Sequence, residues 1–338
     1  MDLGFEASKG AAERVLGVKL PILMRLILPG LLATAVLYPA VAWMLGHFPV
    51  EAERFWERIA GYAVLVLLLG ALISTTNSEI YKVYEGRVLW PAGLRKWGIE
   101  RQQAGVDKLL KESKATSDQE QYDELWYRLR VYKTNGEGLP FASHPTRIGN
   151  ILAGYEQYPN TRYGMDSVFY WPRIWLQIEK DKKEEIDEQW SVADGFLTLS
   201  AISFGGTLIW SAQALAAAFV RGLPGLPLGA PGFAFLGALL WLALGFFWYK
   251  LSLPFHRENG EVYKAIFDIY REKVSTMTGL KPNERELWEA AWAYLQYLMV
   301  KCANCGKYTA AGNQCEKCGF VLLELKKNLS SSGKFPIA

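Results

Sequence analysis

Histidine is scarce in this chain of 338 residues: His47, His144 and His256 stand alone, far apart in sequence and without metal-ligand spacing. A Walker-type glycine loop, a nucleophile elbow and a zinc-protease signature are all missing. Serines and carboxylates are plentiful, but none is set beside a recognisable base, so catalysis is not the expected activity. An excess of one charge sign is missing as well. With 37 Lys and Arg against 34 Asp and Glu the net charge is +3, which excludes a strongly basic nucleic-acid binder judged by bulk charge. A hydrophobic content of 51 % at that small net charge excludes a disordered chain.

What the averages hide is segregation. Charge is nearly absent from four long apolar stretches, at about Leu26–Leu45, Ile59–Thr76, Phe196–Val220 and Phe233–Tyr249. Each is close to the roughly 20 apolar residues an α-helix needs to cross a hydrocarbon core. Inside that core a backbone must satisfy its own hydrogen bonds, so helices are the expected form. The alternative, buried core helices of a soluble protein, asks one core to cover four such runs. Pro29, Gly30 and Pro39 interrupt the first stretch and predict a kink. Its small-residue pattern Ala40-Val41-Ala42 could also mark a signal-peptide cleavage site, but the apolar run continues to Leu45.

Lys and Arg set the orientation. They gather before the first stretch (Lys9, Arg14, Lys19, Arg25), after the second (Lys82, Arg87, Arg95, Lys96), before the third (Lys180, Lys182, Lys183) and after the fourth (Lys250, Arg257, Lys264). The connections within the two apolar pairs carry few. Both termini and the large middle segment are therefore expected in the cytosol, with the protein in the cytoplasmic (inner) membrane and the lipid bilayer as its first partner. Trp43, Trp56, Trp190, Trp248 and Tyr249 fall near stretch ends, where amphipathic rings suit the headgroup level.

A short motif recurs after each apolar pair: Asn77-Ser78-Glu79-Ile80-Tyr81-Lys82 and Asn259-Gly260-Glu261-Val262-Tyr263-Lys264. It fits an ancient duplication or a shared membrane-exit chemistry. A duplication would make the two hairpins a parallel repeat, unlike the inverted repeats of many secondary transporters.

The polar segment between the pairs reads as helical, with apolar residues at helical spacing over Arg101–Lys133. Asn135–Pro140 is a break, Thr146–Tyr158 a helix ended by Pro159-Asn160, and Arg162–Asp166 a turn. Pro172 is expected to open a helix over Arg173–Ile178, and Glu179–Trp190 to run into the third stretch. The polar extensions of the second, third and fourth stretches are expected to meet as a bundle.

Within this segment stand Pro145-Thr146-Arg147-Ile148-Gly149-Asn150, Arg162-Tyr163-Gly164-Met165-Asp166 and Trp171-Pro172-Arg173. Here the chain resembles a largely uncharacterised group of bacterial multi-span membrane proteins with a similar P-T-R-x-G-N … Y-G-x-D … W-P-R segment. The resemblance covers about thirty residues and implies no activity. Arg147, Arg162, Asp166 and Arg173 could hold an anionic ligand, because a guanidinium offers a planar fork to carboxylate or phosphate. A structural knot of Arg–Asp pairs and ring packing is the plainer reading.

All four cysteines lie near the C-terminus, as Cys302-Ala303-Asn304-Cys305 and Cys315-Glu316-Lys317-Cys318, each pair followed by glycine. Two such knuckles, nine residues apart, fit a zinc ribbon in which four thiolates close a tetrahedral structural site around one Zn²⁺. Disulfides are the alternative, opposed by the reducing cytosolic side. The flanking lysines could favour nucleic acid or acidic lipid; a small cap for contact with a cytosolic protein is the expected role, and nucleic acid is not an expected partner.

The apolar stretches hold no mid-membrane charge, which argues against ion-coupled transport. The third carries Ser200, Ser203, Thr207 and Ser211 on one helix face. Such a stripe lets helices approach and hydrogen-bond, or lines a pore in an oligomer.

The expected organisation is an all-α integral membrane protein with four transmembrane helices. Residues 1–80 form the N-terminal segment and first hairpin, 81–191 a cytosolic helical domain, and 192–250 the second hairpin. Residues 251–300 form a cytosolic extension, 301–325 the zinc ribbon and 326–338 a tail. The expected role is a non-enzymatic, self-assembling membrane scaffold presenting its cytosolic parts to partners. A homo-oligomeric channel lined by the third stretch, and a membrane enzyme or anion sensor using the Arg/Asp cluster, are the alternatives.

Overall fold

The computed structural model describes residues 18–37, 55–135, 138–219, 231–278, 299–301 and 308–310. They are mostly helical: α1 (Leu20–Val36), α2 (Phe55–Thr75), α3 (Asn77–Tyr84), α4 (Ala92–Ala115), α5 (Gln119–Leu129), α6 (Arg147–Tyr163), α7 (Ser167–Gln177), α8 (Lys180–Phe219) and α9 (Pro231–Thr278). Two short antiparallel hairpins join them, β1 (Lys133–Thr134) with β2 (Pro140–Phe141) and β3 (Met299–Lys301) with β4 (Tyr308–Ala310). The all-α expectation thus misses two small ladders.

Among the described residues, two helices, α8 and α9, are long and apolar enough to cross a membrane; α2 and α3 make a third if that pair, bent by 55°, is one crossing. Two or three of the four expected crossings thus stand among the described residues. The first expected stretch is described only to Leu37, and its helix, Leu20–Val36, is shorter than a crossing. Apolar residues lie exposed along these helices, including Leu68 and Leu72 on α2, Leu208 on α8 and Leu236 and Leu240 on α9. In water they would be a large sticky surface; in hydrocarbon they need no cover.

The bend after α2 has a local cause. Thr75 and Thr76 turn their hydroxyls back onto the carbonyls of Leu72 and Ile73, at 2.7 and 2.8 Å, and the Thr76 N–H bonds the Ile73 carbonyl at 2.9 Å. Threonines that bond back into the preceding turn compete with the helix ladder and bend it. In α1 the disturbance is a π-helical turn over Leu23–Ile27. Pro29 has no N–H for the Arg25 carbonyl and its ring crowds that position, so the turn widens and the Leu28 N–H reaches back to Leu23.

Packing groups the described residues into two compact units. One comprises those of Met1–Ile99, His144–Gly149 and Glu184–Asn259; the other, those of Glu100–Ser143, Asn150–Lys183 and Gly260–Ala338. The helices α4, α6, α8 and α9 each contribute to both units.

In the first unit α1 and α2 touch backbone to backbone. A Cβ on Gly30 would sit 2.0 Å from the Val66 carbonyl oxygen, and one on Gly70 would sit 2.1 Å from that of Leu26. The two contacts are one turn apart on each helix, the spacing that lets membrane helices close on each other. Leu20, Met24 and Val192 form a small core, with Leu28, Phe196 and Phe255 against it.

The second unit is centred on Val106, Leu129, Ile151, Met165, Tyr170, Ile174 and Phe267, all essentially inaccessible. Trp171 stacks on Tyr263 with ring centroids 4.6 Å apart. Two proline expectations are corrected here. Pro159 does not end α6, which continues to Tyr163, and Pro172 does not open α7 but lies inside it. Asp166 opens α7 instead, its carboxylate accepting the Phe169 N–H at 2.7 Å.

Candidate functional site

A charged group in the first unit joins two residues at the edges of apolar stretches, Arg25 just before the first and Asp194 just before the third. They meet. Arg25 donates from Nε (3.0 Å) and Nη2 (2.8 Å) to Oδ2 of Asp194, and from Nη1 to Asp187 at 2.7 Å. Tyr81 donates its hydroxyl to the other oxygen, Oδ1 of Asp194, at 2.6 Å. The ring of Tyr81 stacks on His256, with centroids 5.7 Å apart and the His256 Nε2 3.4 Å from the hydroxyl oxygen. Four helices supply the set: α1 Arg25, α3 Tyr81, α8 Asp187 and Asp194, α9 His256. The extensions of the second, third and fourth stretches do meet, at this point.

Placement follows from local structure. Arg25 sits in the π-helical turn ahead of Pro29. Tyr81 is carried by α3 after the threonine bend, and Asp187 and Asp194 are seven residues apart, on one face of α8. Asp194 has 15 % and Arg25 29 % of its side chain exposed, so the pair is largely withdrawn from water and held by charge-assisted hydrogen bonds. The single hydroxyl hydrogen of Tyr81 points at Asp194. A bond with His256 therefore requires the histidine to present N–H at Nε2. The arrangement locks four helices together around one carboxylate. It can pass a proton from His256 to Asp194 only through the Tyr81 oxygen.

The serine stripe is engaged in helix contacts. Ser200, fully buried, accepts from the Tyr84 hydroxyl at 2.7 Å and donates to the Gly245 carbonyl at 2.8 Å, joining α3, α8 and α9. Ser203, also fully buried, bonds back to Leu199, and Thr207 bonds back to Ser203. Ser211 lies further along α8, half-buried.

The Arg/Asp cluster is divided among separate tasks. Arg147 opens α6 in the first unit, its N–H on the Tyr249 hydroxyl at 3.2 Å. In the second unit Asp166 caps α7. Arg173 donates to the Phe169 carbonyl at 2.6 Å and lies 3.7 Å over the Phe169 ring. Arg162 is exposed in the last turn of α6. Arg162, Asp166 and Arg173 form no ion pair with one another. Around this segment Pro145 rests on Gly86, where a Cβ would come within 2.1 Å of the proline ring. Thr146 accepts the Gly149 N–H at 3.0 Å, and Asn150 accepts the Ser143 N–H at 2.8 Å. These contacts of the P-T-R-x-G-N segment fix the local course of the chain.

A second polar group, missed in the sequence, lies in the second unit. Asp268 on α9 accepts the hydroxyls of Tyr158 (2.9 and 3.0 Å) and Tyr163 (2.6 Å). Burial, then the bond to Asp268, pushes the Tyr158 hydroxyl above the usual tyrosine range. Nearby in sequence, Glu179 accepts from Tyr270 at 2.6 Å and pairs with Lys273 at 3.0 Å, and these donors hold its carboxyl down to about 2. Ordinary aromatic-to-acid spacing in the sequence carries no signal for either group.

Among the described residues no cluster of three or more His, Cys, Asp or Glu is placed to hold a metal. The expected zinc ligands Cys302, Cys305, Cys315 and Cys318 lie outside the described residues. No protein-family profile matches the chain, and neither the curated proteins nor the solved structures include one similar to it.

Proposed function

We propose that this chain is a four-crossing protein of the cytoplasmic membrane, with both termini cytosolic. In this reading it acts as a self-assembling scaffold that holds a polar helical platform and a zinc ribbon for partner proteins. One observation carries the reading: α8 and α9 are unbroken helices of 40 and 48 residues. At 1.5 Å per residue they are about 60 and 70 Å long, roughly twice what a hydrocarbon core needs. Each joins an apolar half to a polar half without a hinge, which suits rigid presentation from a membrane anchor. The stripe of Ser200 and Ser203 supports the same reading, since its hydroxyls are spent between and along helices. For the ribbon, the support is the β3–β4 ladder, which pairs Lys301 with Tyr308 and whose strands flank the first cysteine knuckle in the sequence.

The test combines metal analysis with conductance. The purified chain is expected to carry one zinc, lost on Cys305→Ser or Cys318→Ser, to run as an oligomer by light scattering in detergent, and to pass no selective current in planar bilayers. A zinc-free folded chain removes the ribbon. A selective current abolished by Ser203→Leu or Thr207→Leu replaces the scaffold with a channel.

A further inference from the structure

A cavity of about 530 Å³ lies within the first unit, between α3 and the apolar halves of α8 and α9. That volume is within the usual range of small-molecule sites. Its walls are largely hydrocarbon: Ile80, Val83 and Leu89 on one side, Ala201, Phe204 and Phe246 on the other. The polar groups that reach it are already engaged. Thr76 donates to Ile73, Glu79 pairs with Lys82, Thr146 donates to the Tyr84 carbonyl, and the Tyr84 hydroxyl donates to Ser200. The Trp90 indole donates to the Val83 carbonyl, and the Tyr249 hydroxyl receives the Arg147 N–H.

Such a space suits neither water nor a polar ligand. Water there would find too few partners, since an ordered site needs two to four polar contacts. A charged or sugar-like ligand would lose its hydration without replacement. Two lining residues are strongly exposed, Leu89 at 81 % and Phe246 at 54 %. Phe246 belongs to the same exposed apolar surface of α9 as Leu239 and Leu242. The cavity is therefore continuous with the surface that α9 offers to hydrocarbon. Leu89 is also the one non-glycine residue with a left-handed backbone among the described residues, at φ 61°. An apolar side chain is held at the rim despite a conformation that favours glycine or asparagine.

We propose that this cavity binds an acyl chain of a membrane phospholipid, taken sideways from the leaflet beside the α2–α3 bend. The proposal rests on the membrane reading of α8 and α9, and adds a lipid site to it. The occupant is apolar because the polar groups of the wall are committed, and it is the bilayer's own chain because the rim joins the lipid-facing surface.

The full chain is reconstituted in phosphatidylcholine vesicles doped with phosphatidylcholine bearing a diazirine on one acyl chain, irradiated, digested and mapped by mass spectrometry. Adducts are expected on Ile80–Trp90 and Ala201–Phe204, beside those on the outer face of α9 at Leu236–Leu240. Ala201→Trp, which fills the space, should lower the Ile80–Trp90 adducts about tenfold, equal to a loss of roughly 1.4 kcal/mol in affinity, and leave Leu236–Leu240 unchanged. Leu89→Asp places a charge at an exposed rim position outside the core and should lower the same adducts; it serves where Ala201→Trp does not fold. Outer-face labelling without cavity labelling, or cavity labelling unchanged in the folded variants, overturns the lipid site alone. Absence of labelling on α9 as well overturns the membrane reading and the lipid site with it.

Discussion

Removing Asp194 tests whether the clasp around Arg25 holds the first unit together. Exposed ion pairs contribute about 0.2–1 kcal/mol, whereas deleting one partner of a buried pair costs about 3–5 kcal/mol. Arg25 and Asp194, at 29 % and 15 % side-chain exposure, lie between those limits and nearer the second. Asp194→Asn keeps the shape and one acceptor for Tyr81, and Arg25 retains Asp187, so a cost of about 2 kcal/mol is expected. Asp194→Leu also strands the Tyr81 hydroxyl and should cost about 3 kcal/mol. Because Arg25→Met removes the charge that Asp194 leaves unpaired, the double variant Arg25→Met/Asp194→Leu should cost less than the sum of its singles by about 2 kcal/mol. Asp187, half exposed, is the internal control: Asp187→Asn should cost under about 1 kcal/mol. Reversible unfolding in mixed detergent micelles measures all five, the single variant Arg25→Met included. The clasp is refuted if Asp194→Asn costs no more than Asp187→Asn, or if the double variant is additive within about 0.5 kcal/mol.

Three further outcomes follow from the geometry. Gly30→Ala places a methyl 2.0 Å from a carbonyl oxygen, so α1 must move away from α2; a loss of about 1–3 kcal/mol, or more, is expected in the same assay, and a neutral result would show that the helices do not touch there. Ser200→Ala removes two hydrogen bonds and leaves the Tyr84 hydroxyl buried, for about 1–3 kcal/mol, while Ser211→Ala, at a half-buried position, should be near neutral; equal effects would contradict the packing role of the stripe. Glu179 has a folded pKa below the ordinary carboxylate value, so its contribution to stability is present above about pH 4.3 and disappears as pH falls toward 2. Carbon-13 titration of its carboxyl should show the low midpoint in the native chain and an ordinary one in Tyr270→Phe; a native midpoint near the ordinary value would remove the Tyr270 contact.

Much of the apolar architecture was visible in the sequence, because a run without charge can satisfy its backbone in hydrocarbon only as a helix. The continuity of α8 is visible as well, since no proline stands between Glu179 and Phe196; that of α9 is not, because Pro254 and Gly260 stand inside it. What was not visible was pairing across distance. Arg25 and Asp194 are separated by 169 positions, and each alone looks like a charge at a membrane edge. The prolines misled for the opposite reason. The local rule that proline stops or starts a helix fails at Pro159 and Pro172, both inside helices whose ends are set elsewhere. Tyr163 and Met165 are buried at the turn between α6 and α7, and Asp166 caps α7 from its own carboxylate.

The repeated motif shows how far local sequence reaches. Asn77–Lys82 and Asn259–Lys264 share Asn, Glu, a β-branched residue, Tyr and Lys, and each lysine pairs with its glutamate three residues earlier, at 2.6 and 3.0 Å. Yet the first copy begins a new helix after a 55° bend and the second lies within unbroken α9. The difference lies just upstream. Thr75 and Thr76 bond back to Leu72 and Ile73 and so offer the backbone another partner at the point where the ladder should continue. Upstream of the second copy stands Pro254, a stronger helix breaker by composition, yet the helix passes through it. The bend in turn sets Tyr81 against Asp194 and places Thr76 and Ile80 along the cavity, while Tyr263 at the matching position stacks on Trp171. Replacing Thr75 and Thr76 by Ala and Leu should therefore straighten α2 into α3 and separate Tyr81 from Asp194, at the cost of the clasp rather than of either helix. Loss of the Arg25–Asp194 coupling energy in that background, with helix content unchanged by circular dichroism, is the expected result; a coupling energy that survives would show that the threonines do not set the bend.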